Sequence, residues 1–204
     1  MLGLAMAIRG VPIPVIAKVN GWCMGGGHEL ALWCDLVIAS EKSMLGQTGA
    51  KVGACPTVGA TQYLPRIIGE RLAREMIFLA RRFSAAEAEK IGLINKCVPE
   101  DQLEAETLAW CETIKGHSSQ TIRMTKKSLN LESDQLYGSW QHGMELLAHV
   151  WGSEESLEGM NAFLEKRKPN FQKFRMRDKK MLAEYLAGNE KDLNAPPSMR
   201  RKKK

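Results

Sequence analysis

No run of apolar residues in this sequence approaches the roughly 18 uninterrupted positions that a membrane helix needs. Lys18, Asp35 and Lys51 interrupt its most apolar third, so a membrane span is not expected. Residues 1–8 are apolar but carry no basic leader, and nothing resembling a cleavage site follows before Pro12, so a secretory signal is not expected either. The five cysteines, Cys23, Cys34, Cys55, Cys97 and Cys111, are odd in number and lack the close spacings that hold zinc or a redox disulfide. They read as small buried apolar residues, with a reactive thiol left open as an alternative at Cys55. His117, His142 and His149 stand at no metal-ligand spacing, so no metal is expected. Together these absences predict a cytoplasmic protein.

Positive charge is present but confined. The formal net charge is +6, yet residues 172–204 alone hold eleven Lys or Arg against four Asp or Glu. The remainder of the chain is close to neutral. The closing run 200–204 reads as a solvated terminus, with contact to nucleic acid or an anionic surface as the other reading. Aromatic residues are scarce, at 6%, and none is interleaved with that run. The stacking half of a nucleic-acid signature is therefore missing, and no nucleic-acid partner is expected.

What the sequence does hold is core material and order. With 204 residues and 44% hydrophobic content, it is long enough to bury a core of its own. Residues 11–19 predict a strand opened by Pro12 and Pro14, which suit a strand's start or edge. Gly21 ends it, residues 29–34 should be helical, and the short β-branched stretch 36–39 predicts a second strand. Strand, glycine turn, helix, strand predicts a parallel pair and places the turn at the carboxyl end of the first strand. From Val58 the period becomes helical, with Tyr63, Ile67, Leu72, Met76 and Leu79 on apolar faces. Ser84 and Glu87 form a capping box for a short helix that Gly92 stops, and residues 93–98 predict another strand. A long amphipathic stretch opens at Glu100 and ends near Gly116 or Asn130. Further helices are expected over 134–150, 154–168 and 175–187, with a disordered end over 189–204.

The residues that carry chemistry are Gly25, Gly26 and Gly27, ahead of His28 and Glu29. Consecutive glycines at a helix start let the backbone approach a ligand and aim free amides at it, while the helix dipole favours negative charge. A tight turn without a ligand explains the glycines alone equally well.

The run Val15-Ile16-Ala17-Lys18-Val19-Asn20-Gly21-Trp22-Cys23-Met24-Gly25-Gly26-Gly27-His28-Glu29-Leu30-Ala31, followed by Cys34-Asp35-Leu36-Val37-Ile38-Ala39, resembles the signature of the enoyl-CoA hydratase/isomerase, or crotonase, superfamily. The likeness continues through Leu45-Gly46-Gln47, Ala60 to Gly69, Ser84-Ala85-Ala86-Glu87-Ala88 and Gly92-Leu93-Ile94. It reaches Glu158-Gly159-Met160-Asn161-Ala162-Phe163 and beyond, and so covers roughly residues 8–174. The resemblance implies an α/β fold with a crotonase (ClpP-like) ββα spiral core, truncated at its N-terminal end, over residues 1–100. A C-terminal helical trimerisation region over 101–174 and a basic, partly disordered tail over 175–204 would follow. Homotrimers or hexamers are implied as well.

By the same resemblance, Gly26 supplies one of two backbone amides that bind a thioester oxygen as it becomes an enolate. The second amide belongs to a segment upstream of this sequence. Glu29 matches one of the two glutamates of hydratases, while Gly49 stands where the second would be. Met24, Gly25, Gln47, Thr48, Gly49 and Pro56 are the implied substrate contacts. The loop 46–53 resembles that of 1,4-dihydroxy-2-naphthoyl-CoA synthases and 2-ketocyclohexanecarboxyl-CoA hydrolases, in which bicarbonate can fill the place of the missing glutamate against Gln47, Thr48 and Gly49. Ala54, Pro56 and Ile77 depart from that subgroup, and Pro56 is hydratase-like.

The implied reaction is hydration of an enoyl-CoA, open to a cyclic one, with coenzyme A thioester as substrate, no tightly bound cofactor, and bicarbonate left open as a bound anion. Ring closure or ring-cleaving hydrolysis of a β-oxoacyl-CoA is the alternative, and a non-catalytic binding protein is the alternative of another class. His28 is expected to face away from the pocket, on the helix surface or in packing. Trp22, Trp33 and Trp140 are expected in the core or at subunit contacts, and Lys166, Arg167 and Lys168 either near coenzyme A phosphates or at a solvated helix end.

Overall fold

The computed structural model describes residues 2–188. Helix α1 (Leu2–Gly10) leads into β1 (Ile16–Val19) and β2 (Trp22–Met24), and α2 (Gly26–Trp33) follows. The same pattern repeats with β3 (Leu36–Ser40), β4 (Met44–Gly46) and the short α3 (Gly49–Val52). Helices α4 (Ala60–Ile68) and α5 (Glu70–Phe78) precede β5 (Arg82–Ser84), α6 (Ala85–Lys90) and β6 (Lys96–Val98). Four helices then complete the body: α7 (Leu103–Lys115), α8 (Ser119–Asp134), α9 (Tyr137–Val150) and α10 (Glu154–Leu164), with α11 (Gln172–Gly188) after them.

The strands build two small sheets. One has the order β1-β3-β6 and is parallel throughout, with Ile16 opposite Leu36 and Ile38 opposite Lys96. The other has the order β2-β4-β5, parallel between β2 and β4 and antiparallel between β4 and β5. The pairs β1–β2 and β3–β4 each send one strand into each sheet before a helix, which is the ββα spiral implied by the sequence resemblance, while β5 and β6 join the two sheets from either side of α6. Ser43 stitches the corner between the sheets: its Oγ accepts from Gly21 N at 2.9 Å and donates to Val19 O at 3.1 Å. Among the described residues β1 pairs only with β3 and β2 only with β4, so both carry a free edge.

The predicted parallel pair is present, but the first strand is shorter than expected. Residues 11–15 form no strand, because Pro12 and Pro14 have no N–H to give a ladder. Strands β2, β4 and β5 were not anticipated: at three residues each they are too short to display a period of two. The expected stretch from Glu100 is two helices. Gly116 ends α7, and Ser118 opens α8 by accepting from Thr121 N at 3.3 Å. The Ser84 capping box forms as read, with Glu87 N donating to Ser84 Oγ at 3.3 Å and Ser84 N to Glu87 Oε2 at 2.8 Å. Helix α10 stops at Leu164 rather than 168, and Lys166 turns the chain with a φ of 54°. The expected disordered end over 189–204 lies outside the described residues.

Helix α2 occupies the centre. Its Ala31, Leu32 and Trp33 are buried in the main core with Tyr63 and Leu64 of α4, Ala5 of α1 and Trp140 of α9. Trp140 meets Tyr63 edge-on, with ring centroids 5.5 Å apart, and lies 6.3 Å from Trp33. Trp33 and Trp140 are core residues, as anticipated, whereas Trp22 lies on the surface with Arg82 over its ring. No helix among the described residues is long and apolar enough to cross a membrane.

Candidate active site

The glycine turn sets where α2 begins. Gly25 is its N-cap with φ 54° and ψ −121°, a left-handed conformation in which a side chain would be strained. Its N–H donates to Gly46 O at 3.0 Å, which pins the turn to the end of β4. Gly26 is then the first helical residue, and by its position its N–H has no intrahelical acceptor. Glu29 closes the turn, its N–H donating to Gly25 O at 2.9 Å.

The Glu29 side chain is only 5% exposed. Its Oε1 accepts from Val58 N at 2.8 Å and from Ala60 N at 3.4 Å, so the carboxyl group is anchored to the start of α4. Oε2 has no partner among the described residues, and no cation there pairs with the carboxylate. Burial pushes the Glu29 pKa above the usual carboxylate value, and the Ala60 and Val58 amides only partly oppose it. A buried carboxyl anchored through one oxygen, with its proton affinity raised, has the properties of a general base.

Glu29 faces a cavity of about 450 Å³ lined by Gly25, Gly26, Gln47, Thr48, Gly49, Val52, Ala54, Cys55, Pro56, Val58, Leu147 and Trp151. Seven of the eight site residues singled out from the sequence therefore converge here. Met24, the eighth, lies in β2 outside the lining, half-buried. Val52, Val58, Leu147 and Trp151 were not singled out. Leu147 and Trp151 come from the end of α9, spaced four apart on one helix face, a pattern that core packing produces equally well.

Gly49 has a steric reason. A Cβ there would lie 2.4 Å from Ala54 O, because the loop folds back and Ala54 N donates to Gly49 O at 3.0 Å. The loop has no room for a glutamate at position 49. Gln47 is fully buried, and its Nε2 donates to Gly25 O at 3.3 Å and lies 3.1 Å from His28 Nδ1. His28 sits behind the cavity wall, 1% exposed, and burial holds its pKa down to about 4. Of the two placements expected for it, packing is the one observed.

Cys55 is half-buried in the lining, and burial raises its thiol pKa, so it stays protonated at neutral pH. Lys166, Arg167 and Lys168 are not in the lining. Arg167 is held by Glu158, its Nη1 donating to Oε1 at 2.6 Å, which ties down the end of α10. Among the described residues no three His, Cys, Asp or Glu come together as a metal-holding group.

Residues 1–175 match the family described as enoyl-CoA hydratase/isomerase. The chain belongs to the enoyl-CoA hydratase/isomerase family. Its fold is that of solved members of this crotonase superfamily. An enoyl-CoA hydratase from Mycobacterium avium subsp. paratuberculosis K-10 is 32% identical, with a TM-score of 0.79 over 82% of this chain and 68% of that one. A carnitinyl-CoA hydratase from Mycobacterium avium is 31% identical, with a TM-score of 0.74 over 78% of this chain and 62% of that one. A methylmalonyl-CoA decarboxylase in complex with 2-nitronate-propionyl-CoA is 32% identical, with a TM-score of 0.73 over 83% and 66%. The chain thus spans about two thirds of the length of these crotonase relatives, whose names cover more than one reaction.

Proposed function

We propose that this chain acts on a coenzyme A thioester and adds water across the double bond of an enoyl-CoA, open or cyclic. The observation that carries the reading is Glu29: a buried carboxyl anchored through Oε1, with Oε2 unpaired, beside the Gly26 amide in one cavity. In the proposed step Glu29 removes a proton from water as its oxygen bonds to the β-carbon. The π electrons move to the thioester oxygen, where the Gly26 N–H stabilises the developing charge, and the enolate then takes that proton from Glu29 at the α-carbon, which regenerates the carboxylate. The net addition is one H and one OH. A fixed amide donor in such a site is worth on the order of a hundredfold or more in rate. Loss of crotonyl-CoA absorbance on incubation with the purified chain tests the proposal. Turnover that survives Glu29→Gln would overturn it.

One observation favours a second reading. Gly49 leaves the position of the second hydratase glutamate without a side chain, as in the naphthoate-synthase loop that 46–53 resembles. Ring closure or ring-cleaving hydrolysis of a β-oxoacyl-CoA with bicarbonate as base would then follow, and turnover would rise with added bicarbonate. The apolar side chains left exposed on α8 and α10, Leu129, Leu131, Phe163 and Leu164, fit packing against further copies of this chain in a trimer or hexamer. Sedimentation velocity tests that assembly.

A further inference from the structure

The wall of the cavity divides into two chemistries. Gly26 and Glu29 are the groups assigned to the thioester oxygen and the proton, whereas Val52, Leu147 and Trp151 bring no charge and, apart from the indole N–H, no polar side-chain atom. The pantetheine arm of coenzyme A carries amides that need hydrogen-bond partners, so this apolar wall suits the other side of the thioester, the acyl group. Among the described residues of the lining, Glu29 is the one charged side chain. A charged acyl end would find no counter-charge there, and an unpaired charge taken out of water is costly. Trp151 is 60% exposed although it lines the cavity, so its aromatic face is open to a ligand. Its backbone is fixed from both sides. The Trp151 N–H donates to Leu147 O at 2.8 Å, Gly152 turns the chain with a φ of 81°, and Ser153 caps α10 by accepting from Ser156 N at 3.2 Å. Val52 is backed just as firmly. A Cβ on Gly159 of α10 would lie 2.4 Å from Val52 C, and one on Gly53 would lie 2.7 Å from Ser156 Cα, so the backbones of α3 and α10 already touch. The cavity of about 450 Å³ has room for far more than a crotonyl chain, and its wall at Val52 cannot retreat.

We infer that the acyl group selected by this site is uncharged and carries a flat ring, aryl or unsaturated, that lies against the Trp151 indole and is bounded by Leu147 and Val52. Trp151 is the specificity-determining residue, because stacking on its face rewards a ring beyond the apolar area that any chain of similar reach would bury. This chooses the cyclic over the open acyl group within the proposed function, and it rests on the coenzyme A thioester part of that reading.

Calorimetry with saturated thioesters, which cannot be hydrated, tests the ring site apart from the reaction. Wild type should bind 3-phenylpropionyl-CoA about fivefold more tightly than hexanoyl-CoA, which has a similar reach and no ring. Trp151→Phe should keep most of that preference. Trp151→Leu, apolar but without a flat face, should lose it while its affinity for hexanoyl-CoA changes by less than about twofold, with native circular dichroism in both variants. Valeryl-CoA should bind about tenfold more tightly than glutaryl-CoA, its counterpart with a terminal carboxylate. If wild type shows the ring preference and Trp151→Leu abolishes it, yet neither crotonyl-CoA nor cinnamoyl-CoA is hydrated, the hydratase reading falls and the ring site stands. If crotonyl-CoA is hydrated but hexanoyl-CoA binds as tightly as 3-phenylpropionyl-CoA, the hydratase reading stands and the ring site is overturned. A ring preference retained by Trp151→Leu, or glutaryl-CoA bound as tightly as valeryl-CoA, would overturn it too, and binding of none of these thioesters would overturn both.

Discussion

Among the described residues two charged side chains are buried, and their surroundings differ in kind. Lys126 of α8 is 6% exposed, and all three of its ammonium protons have acceptors: Asp35 Oδ2 at 2.7 Å, Ile13 O at 3.0 Å and Ile8 O at 3.1 Å. Asp35 in turn accepts from Val15 N at 2.7 Å, so this knot ties α8 to the segment entering β1 and to the start of β3. Glu29 is buried as deeply, but among the described residues only one of its oxygens is bonded and no cation compensates it. A charge that holds a fold together has its hydrogen bonds completed, whereas one that works on a ligand is left incomplete on the ligand's side. The two regions should therefore respond oppositely to losing their charge.

The largest expected effect is at Glu29. Glu29→Gln should lower hydration of crotonyl-CoA by about 10²–10⁴-fold, the range of general acid–base contributions. Its melting temperature at pH 7 should stay level or rise. The sign follows from the raised pKa: the folded state favours the protonated carboxyl, so Glu29 favours folding below its pKa and loses that contribution as pH climbs through it. Lys126→Met should do the reverse, destabilising the fold by about 3 kcal/mol because Asp35 and two carbonyls lose their donor. A chemical denaturation curve reads this directly, and a stability change under about 0.5 kcal/mol would dissolve the contrast.

Gly26→Pro sharpens the comparison from the ligand's side. Proline is tolerated at the first helical position and removes the amide proton, so kcat should fall by about a hundredfold or more, with circular dichroism reading whether the fold is kept. Smaller still is Gly49→Ala. Its Cβ would press on Ala54 O, costing about 1–3 kcal/mol of stability, and the residual activity should show a raised KM. The mildest outcome concerns pH: the acid limb of kcat/KM should lie above the ordinary glutamate value of about 4.3, because burial has raised Glu29.

Much of this was legible in the residues. The glycine turn, the Ser84 capping box, the parallel pair β1–β3 and the helical second half follow from local chemistry, since propensity, capping and turn demands act within a few residues. The motif residues around Gly26 and Gln47 also marked the region where the cavity lies. The short strands β2, β4 and β5 did not show, because three residues of strand carry no readable period and are held by partners distant in the chain. Leu147 and Trp151 were equally silent, since their apolar spacing does not say whether a helix face meets a core or a cavity.

The sequence by itself determined the family, the position of the turn and the identity of its one hydratase-like glutamate, because those are written in contiguous residues. Only the tertiary structure decided how that glutamate behaves. Burial raises its proton affinity against the opposing amides of Val58 and Ala60, the returning Ala54 carbonyl forbids a side chain at Gly49, and Gly25 with His28 holds the buried Gln47 carboxamide in place. Solvent exclusion and hydrogen-bond completion are properties of groups brought together from separate parts of the chain.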